Sequence, residues 1–152
     1  QALANGEVTR AHYARYLVQI GKVSNDGQAF KRYLGGGKSC FVKAEWVDIP
    51  TAIDTIHAAG GVAVIAHPMR YNMTGKWIRR LIVDFKQWGG DGMEVSDSGQ
   101  TKDQRQYLAR LANEYDLAAS LGSDFHFPCG WIELGKNLFL PEEVKPIWTL
   151  FE

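Results

Sequence analysis

Residues 62–66, Val-Ala-Val-Ile-Ala, are too apolar for a surface element and too short for a buried helix, and the run breaks off at His67-Pro68. Such a stretch is expected to be a strand covered on both faces, as in a parallel sheet flanked by helices. Residues 118–121 repeat the pattern more weakly and break off at Gly122-Ser123-Asp124-Phe125-His126. In α/β folds such strands deliver functional residues at their C-terminal ends, where the following loops build the site. His67 and the Asp124/His126 pair lie at two such ends.

The rest of the chain alternates around these strands. Pro50 opens a helix running to Gly60, with Ala52, Ile53 and Ile56 inward. A helix capped near Thr74 carries Ile78, Leu81, Ile82 and Phe85 at helical spacing and stops at Gly89-Gly90. Gly92-Met93-Glu94-Val95 reads as a strand, Thr101 caps a helix with Leu108, Leu111, Ala112 and Tyr115 inward, and Pro141 opens a last helix through Val144, Ile147, Trp148 and Phe151. This alternation predicts an α/β fold of βα units with a parallel sheet or barrel over residues 41–152. Residues 1–40 differ in kind. Thr9 caps a helix carrying Ala14, Leu17 and Val18 that Gly21 stops, and Asp26 caps a second one with Ala29, Phe30, Tyr33 and Leu34, so this part reads as a small helical module. Phe41–Val47 reads as an extended connector.

Composition narrows the function. Lys plus Arg and Asp plus Glu number 17 each, so no global basic field of the kind suited to long nucleic acids is present. No apolar run reaches the roughly 18 residues of a membrane span. Two cysteines, Cys40 and Cys129, are too few for a disulfide framework, which points to a cytoplasmic setting. The opening Gln1-Ala2-Leu3-Ala4-Asn5-Gly6 has no initiator Met, and three short strands are few for a complete parallel sheet, so an N-terminal portion is expected to be missing.

Chemistry concentrates at the strand ends. A lone His67 would be a structural histidine, but its place at a core-strand end favours a ligand for Zn, Mn or Fe. Asp124 and His126, one residue apart on an extended segment, point to the same side and can serve one ion or two neighbouring ones; the plain alternative is a loop aspartate capping local amides. Arg70 can clamp a phosphate bidentately or pair with a carboxylate, and Glu94 faces the same choice between site and structural pairing. His57 reads as structural and Cys129 as a small loop residue. Gly35-Gly36-Gly37-Lys38 follows a helix and has Arg32 where a Walker glycine belongs, so it is not a P-loop, although Lys38 can still reach a phosphate.

Taken together, A-V-I-A-H-P-M-R-Y at 63–71, G-G-D-G-M-E-V at 89–95 and A-S-L-G-S-D-F-H at 119–126 resemble the PHP (polymerase and histidinol phosphatase) superfamily. Within it they are similar to the bacterial branch containing ribonuclease AM and the 3′,5′-nucleotide bisphosphate phosphatases. The segments at 9–18 and 32–38 resemble that branch's helical insertion. The resemblance implies a distorted (β/α)₇ barrel with up to three divalent metal ions, commonly Mn²⁺. It implies His67, Asp124 and His126 as metal ligands, and Arg70, Arg10, His12 and Lys38 as groups approaching substrate phosphates. The superfamily's first motif, an H-x-H, and its early Asp, His and Glu ligands are absent, so the chain is expected to be the C-terminal part of such an enzyme.

The implied activity is metal-dependent removal of the 3′-phosphate from 3′,5′-bisphosphonucleotides, or trimming of short RNA from its 5′ end, by the intact parent; this chain alone is expected to be inactive. A second reading is a non-catalytic nucleotide- or RNA-binding module, with Arg10, Arg15, Lys31, Arg32 and Lys38 interleaved with Tyr13, Tyr16 and Tyr33. A third is a mononuclear hydrolase built on His67, Asp124 and His126 alone. Exposed strand edges of a partial barrel would also favour self-association.

Overall fold

The computed structural model describes residues 6–126, 130 and 132–151, which excludes Cys129. The chain divides into two compact units, up to Trp46 and from Val47 onward.

In the first unit α1 (Arg10–Gln19) starts at Thr9, as its sequence predicts. The His12 imidazole closes the cap: its Nδ1 accepts from the Thr9 N–H at 3.0 Å. Gly21, at φ 70°, ends the segment in the left-handed region that a side chain disfavours. The second helix, α2 (Asp26–Ala29), is capped by Asn25 and not Asp26: the Asn25 side chain accepts from the Gln28 N–H at 3.0 Å. It continues as a π-helical turn over Phe30–Leu34. Ala14, Val23, Ala29 and Leu34 form the core, with Leu17, Val18, Phe30 and Tyr33 against it. Residues 41–48 then run without regular structure.

The second unit is built of α3 (Ile49–Ala58), β1 (Val64–Ile65), α4 (Gly75–Gln87), β2 (Gly92–Asp97), α5 (Lys102–Glu114) and β3 (Ala118–Gly122). All three strands are parallel, in the order β1-β2-β3. Thr74 stands before α4 without a side-chain capping bond, whereas Thr101 and Gln104 form a reciprocal capping box on α5. Ile78, Ile82 and Phe85 of α4 and Leu108, Ala109, Leu111 and Ala112 of α5 pack with Ile53, Met93, Val95 and Ala119 into one core. Every residue of β2 is buried, so the central strand, and not 62–66, is the one covered on both faces.

Three expectations need correction. The strand at 62–66 shrinks to two paired residues, because it lies at the edge of the described sheet with β2 as its neighbour there. Ile56 is exposed, since only Ile53 of α3 reaches the core. The helix predicted from Pro141 does not form. The Ala119 N–H donates to the Lys145 carbonyl at 2.7 Å, and Pro146 bridges Ala119 in parallel. Proline disfavours helix for the residue before it and lacks the N–H a helix would use. Only a short 3₁₀ turn, Ile147–Leu150, follows.

β2 contains an irregularity: Glu94 pairs with Ser120 but Ser96 with Leu121, so Val95 is an extra residue. Residues three apart on an unbroken strand face opposite sides; a bulge shifts that phase. Both Glu94 and Asp97 then reach groups of the loop after β1. Tight passage between strands also constrains Gly92, where a Cβ would come within 2.8 Å of the Ala118 carbonyl oxygen and 2.5 Å of Ile147 Cδ1. We expect Gly92→Ala to destabilise the protein by about 1–3 kcal/mol, the usual cost of overpacking, with a lowered urea midpoint as the measurement.

Candidate metal and phosphate site

The C-terminal ends of the three strands carry the site. At the end of β1, His67 takes a left-handed backbone, φ 33°, and its N–H donates to Glu94 Oε2 at 2.6 Å. That conformation costs a non-glycine residue on the order of 1 kcal/mol, and the bond to a buried carboxylate offsets it. The imidazole meets Tyr71 edge-on at 5.8 Å between ring centroids. Its Nδ1 is buried without a hydrogen-bond partner in the structure, so a ring nitrogen is left unspent. Tyr71 in turn donates its hydroxyl to the Ala66 carbonyl at 2.7 Å. Burial raises the Tyr71 phenol, and the Glu94 charge adds to the shift. Burial likewise holds the Glu94 carboxyl above the usual carboxylate range; the His67 N–H opposes this, and the charges of Asp97 and Asp124 reinforce it.

Arg70 lies at the centre. Its Nε and NH2 reach Asp97 Oδ2 and Oδ1 at 3.4 and 3.3 Å, and its NH1 donates to Asp124 Oδ2. The hydrogen bonding to Asp97, in first place, and the charges of Asp97, Asp124 and Glu94 hold the guanidinium more firmly protonated, against its own desolvation. Arg70, Asp97, Met69, Gly99, Gln100 and Gln104 line a cleft of about 230 Å³ between the loops after β1 and β2.

At the end of β3, Asp124 is also left-handed, φ 53°, so the segment is not extended as the sequence suggested, and side chains at 124 and 126 need not align. Local contact brings them together instead: His126 Nδ1 donates to the Asp124 carbonyl at 2.9 Å and lies 3.7 Å from Asp124 Oδ1. With its proton on Nδ1, His126 presents a free lone pair at Nε2, the arrangement that metal-binding histidines adopt.

Of the predicted site residues, the structure joins Arg70, Asp124 and His126, while His67 bonds through its backbone to Glu94, whose charge acts on Arg70. Arg10, His12 and Lys38 lie in the helical unit. There Lys38 lines a cleft of about 580 Å³ with Gln28, Lys31, Arg32 and Tyr33. His57, read as structural, pairs through Nε2 with Asp91 Oδ2 at 2.7 Å. Sequence reasoning missed Asp97, because its strand was ended at Val95; the polar Ser96-Asp97-Ser98 following an apolar run was the available signal.

The donor types suit a divalent cation: an unspent His67 nitrogen, the Asp124 carboxylate and the His126 Nε2. They do not amount to a full shell, because among the described residues no three His, Cys, Asp or Glu side chains group as one ion site.

No protein-family model matches the chain. It is 80% identical over 151 residues to a 5′-3′ exoribonuclease of Haemophilus influenzae, covering 99% of this chain and 55% of that protein. It is 41% identical over 146 residues to a 3′,5′-nucleoside bisphosphate phosphatase of Chromobacterium violaceum, covering 95% and 51%. These phosphoesterases are its homologues. Two solved structures share its fold: an amidohydrolase from C. violaceum with bound sulfate and no metal (TM-score 0.78, 41% identity, 93% of this chain and 49% of that one), and a protein from Bifidobacterium adolescentis described as a metal-dependent phosphoesterase (0.70, 28%, 96% and 52%). The kinship agrees with the PHP resemblance read from residues 63–71 and 119–126, and the chain spans about half the length of the curated relatives it matches.

Removing Arg70 would leave the Asp97 carboxylate, which is 2% exposed, without its charge partner. We expect Arg70→Ala to cost about 1–3 kcal/mol, the penalty for an unsatisfied buried polar group, and Arg70→Lys to cost less, both read from chemical denaturation.

Proposed function

We propose that the chain is the C-terminal portion of a metal-dependent phosphoesterase that removes the 3′-phosphate of 3′,5′-bisphosphonucleotides or trims short RNA from its 5′ end. The observations that carry this reading are an unspent His67 nitrogen after β1 and the Arg70–Asp124–His126 network, at the C-terminal ends of strands of one parallel sheet. The named activities of its homologues support it. His67, Asp124 and His126 would hold divalent metal, Mn²⁺ being the expected ion, with further ligands from outside the described residues. The sheet would form part of a distorted (β/α)₇ barrel in the intact protein, with residues 1–40 as a helical insertion and a cytoplasmic setting.

Bound metal would supply an activated water and positive charge against the phosphate. The chain's own groups do the rest. Arg70 offers planar donors to a phosphate. The carbonyl of Asp124 fixes the proton of His126 on Nδ1 and keeps Nε2 basic. Buried Glu94 holds the His67 backbone in place, which aims the imidazole. Arg10, His12 and Lys38 would approach the substrate's other phosphate. The His12 Nδ1 is taken by the Thr9 cap, which leaves its Nε2 for that role.

In the full-length protein, Asp124→Ala should lower turnover of a 3′,5′-bisphosphonucleotide by at least ~10²-fold, beyond the loss typical of outer-shell metal-site groups, while circular dichroism stays unchanged. Near-normal turnover would refute the assignment. This 152-residue chain, equilibrated with Mn²⁺ and freed of excess ion, should retain well under one ion by elemental analysis, since no described triad converges. One tightly held ion per chain would instead support a self-sufficient mononuclear site.

The cleft lined by Lys31, Arg32, Lys38, Tyr33 and Gln28 favours a second reading, a nucleotide- or RNA-binding module. Salt-sensitive RNA binding by the full-length protein without turnover would select it.

A further inference from the structure

Asp97 has no part in the reading above, yet it is the most completely buried charged side chain at the site. It ends β2, paired with Gly122 of β3. Its Oδ1 accepts from the Gly99 N–H at 2.7 Å, and its own N–H donates to Gln100 Oε1 at 3.1 Å. The carboxylate is therefore held by the Gly99 backbone, and the Asp97 backbone by the Gln100 side chain, independently of Arg70. Arg70, by contrast, sits on a short 3₁₀ turn and is 37% exposed at its side chain. The pairing is one-sided in its geometry. Nε and NH2, one edge of the guanidinium, face Asp97, while NH1 faces Asp124 across the site.

We propose that Asp97 is the positioning residue of Arg70: it engages the Nε/NH2 edge of the guanidinium so that NH1 is presented between the loops after β1 and β3, where a phosphate would be received. The proposal rests on the reading of Arg70 as a phosphate-binding group. A guanidinium can be held along one edge and bind along another, whereas an ammonium has no edges to divide. Both bonds of the fork, at 3.3 and 3.4 Å, fall on the same edge of the guanidinium.

The test uses the full-length protein with Asp97→Asn, Asp97→Glu, Arg70→Lys and the Arg70→Lys/Asp97→Asn pair, each checked for folding by circular dichroism. Asp97→Glu keeps the charge and displaces it, so it separates positioning from mere neutralisation if Asp97→Asn fails to fold. We expect both Asp97 variants to raise KM for a 3′,5′-bisphosphonucleotide about ten-fold or more, the scale of one charge-assisted hydrogen bond, with a smaller change in kcat. In the Arg70→Lys background Asp97→Asn should add nothing. A wild-type KM in Asp97→Glu, or effects that multiply in the double variant, would overturn the proposal. A second readout needs no turnover. The Arg70 Nε–H resonance, assigned by its loss in Arg70→Lys, should shift on titration with inorganic phosphate in the wild type and lose that response in the Asp97 variants. An unchanged response in those variants refutes the positioning role. A wild-type protein that fails to hydrolyse the substrate refutes the proposed activity, and the resonance then decides the role of Asp97 by itself.

Discussion

Burial of charge at the end of the central strand is the constraint from which the site follows. β2 is covered on both faces, yet it carries Glu94, Ser96 and Asp97, all buried. Carboxylates taken from water cost several kcal/mol each unless they are hydrogen-bonded or paired. The loop after β1 supplies both remedies, the His67 N–H for Glu94 and the Arg70 guanidinium for Asp97. The bulge at Val95 makes this possible, because it lets two carboxylates three residues apart reach the same neighbouring loop.

That arrangement explains why two site residues tolerate left-handed backbone. His67 and Asp124 each end a strand in a conformation that side chains disfavour, and each is tied to a neighbour, His67 through Glu94 and Asp124 through Arg70 and His126. Strain of this kind persists where the surroundings over-determine it, and such places coincide with functional sites more often than chance. The glycines beneath serve the same packing. At Gly122 a Cβ would come within 2.9 Å of Glu94 Oε1, so a side chain there would press on the buried carboxylate that holds His67.

The opposite end of the sheet is held by ordinary structural polarity. Asp91 accepts from the Ala63 N–H and from His57 Nε2, both at 2.7 Å, which ties α3 and the approach to β1 to the start of β2. Carboxylates along one strand thus have different partners: Asp91 joins α3 and the approach to β1, while Glu94 and Asp97 bind the His67 N–H and the Arg70 guanidinium of the following loop.

Much of this was written in local pattern. The stripes of α4 and α5, the Thr101 capping box and the existence of three short strands follow from hydrophobic period and capping chemistry, which act within a few residues. The motifs around His67, Asp124 and His126 carried the kinship for the same reason. What depended on neighbours distant in sequence was not legible. The pairing of β1 with β2 decided that only Val64 and Ile65 are strand, and the bridge from Lys145 and Pro146 to Ala119 removed the predicted last helix. The bulge made Asp97 a partner of Arg70, and the left-handed Asp124 replaced an extended pair with a carbonyl-anchored imidazole. The sequence by itself determined that helices alternate with three short strands and that His67, Asp124 and His126 follow two of them. Only the tertiary structure decided which of them meet, because register and buried charge pairing are settled between segments and not within them.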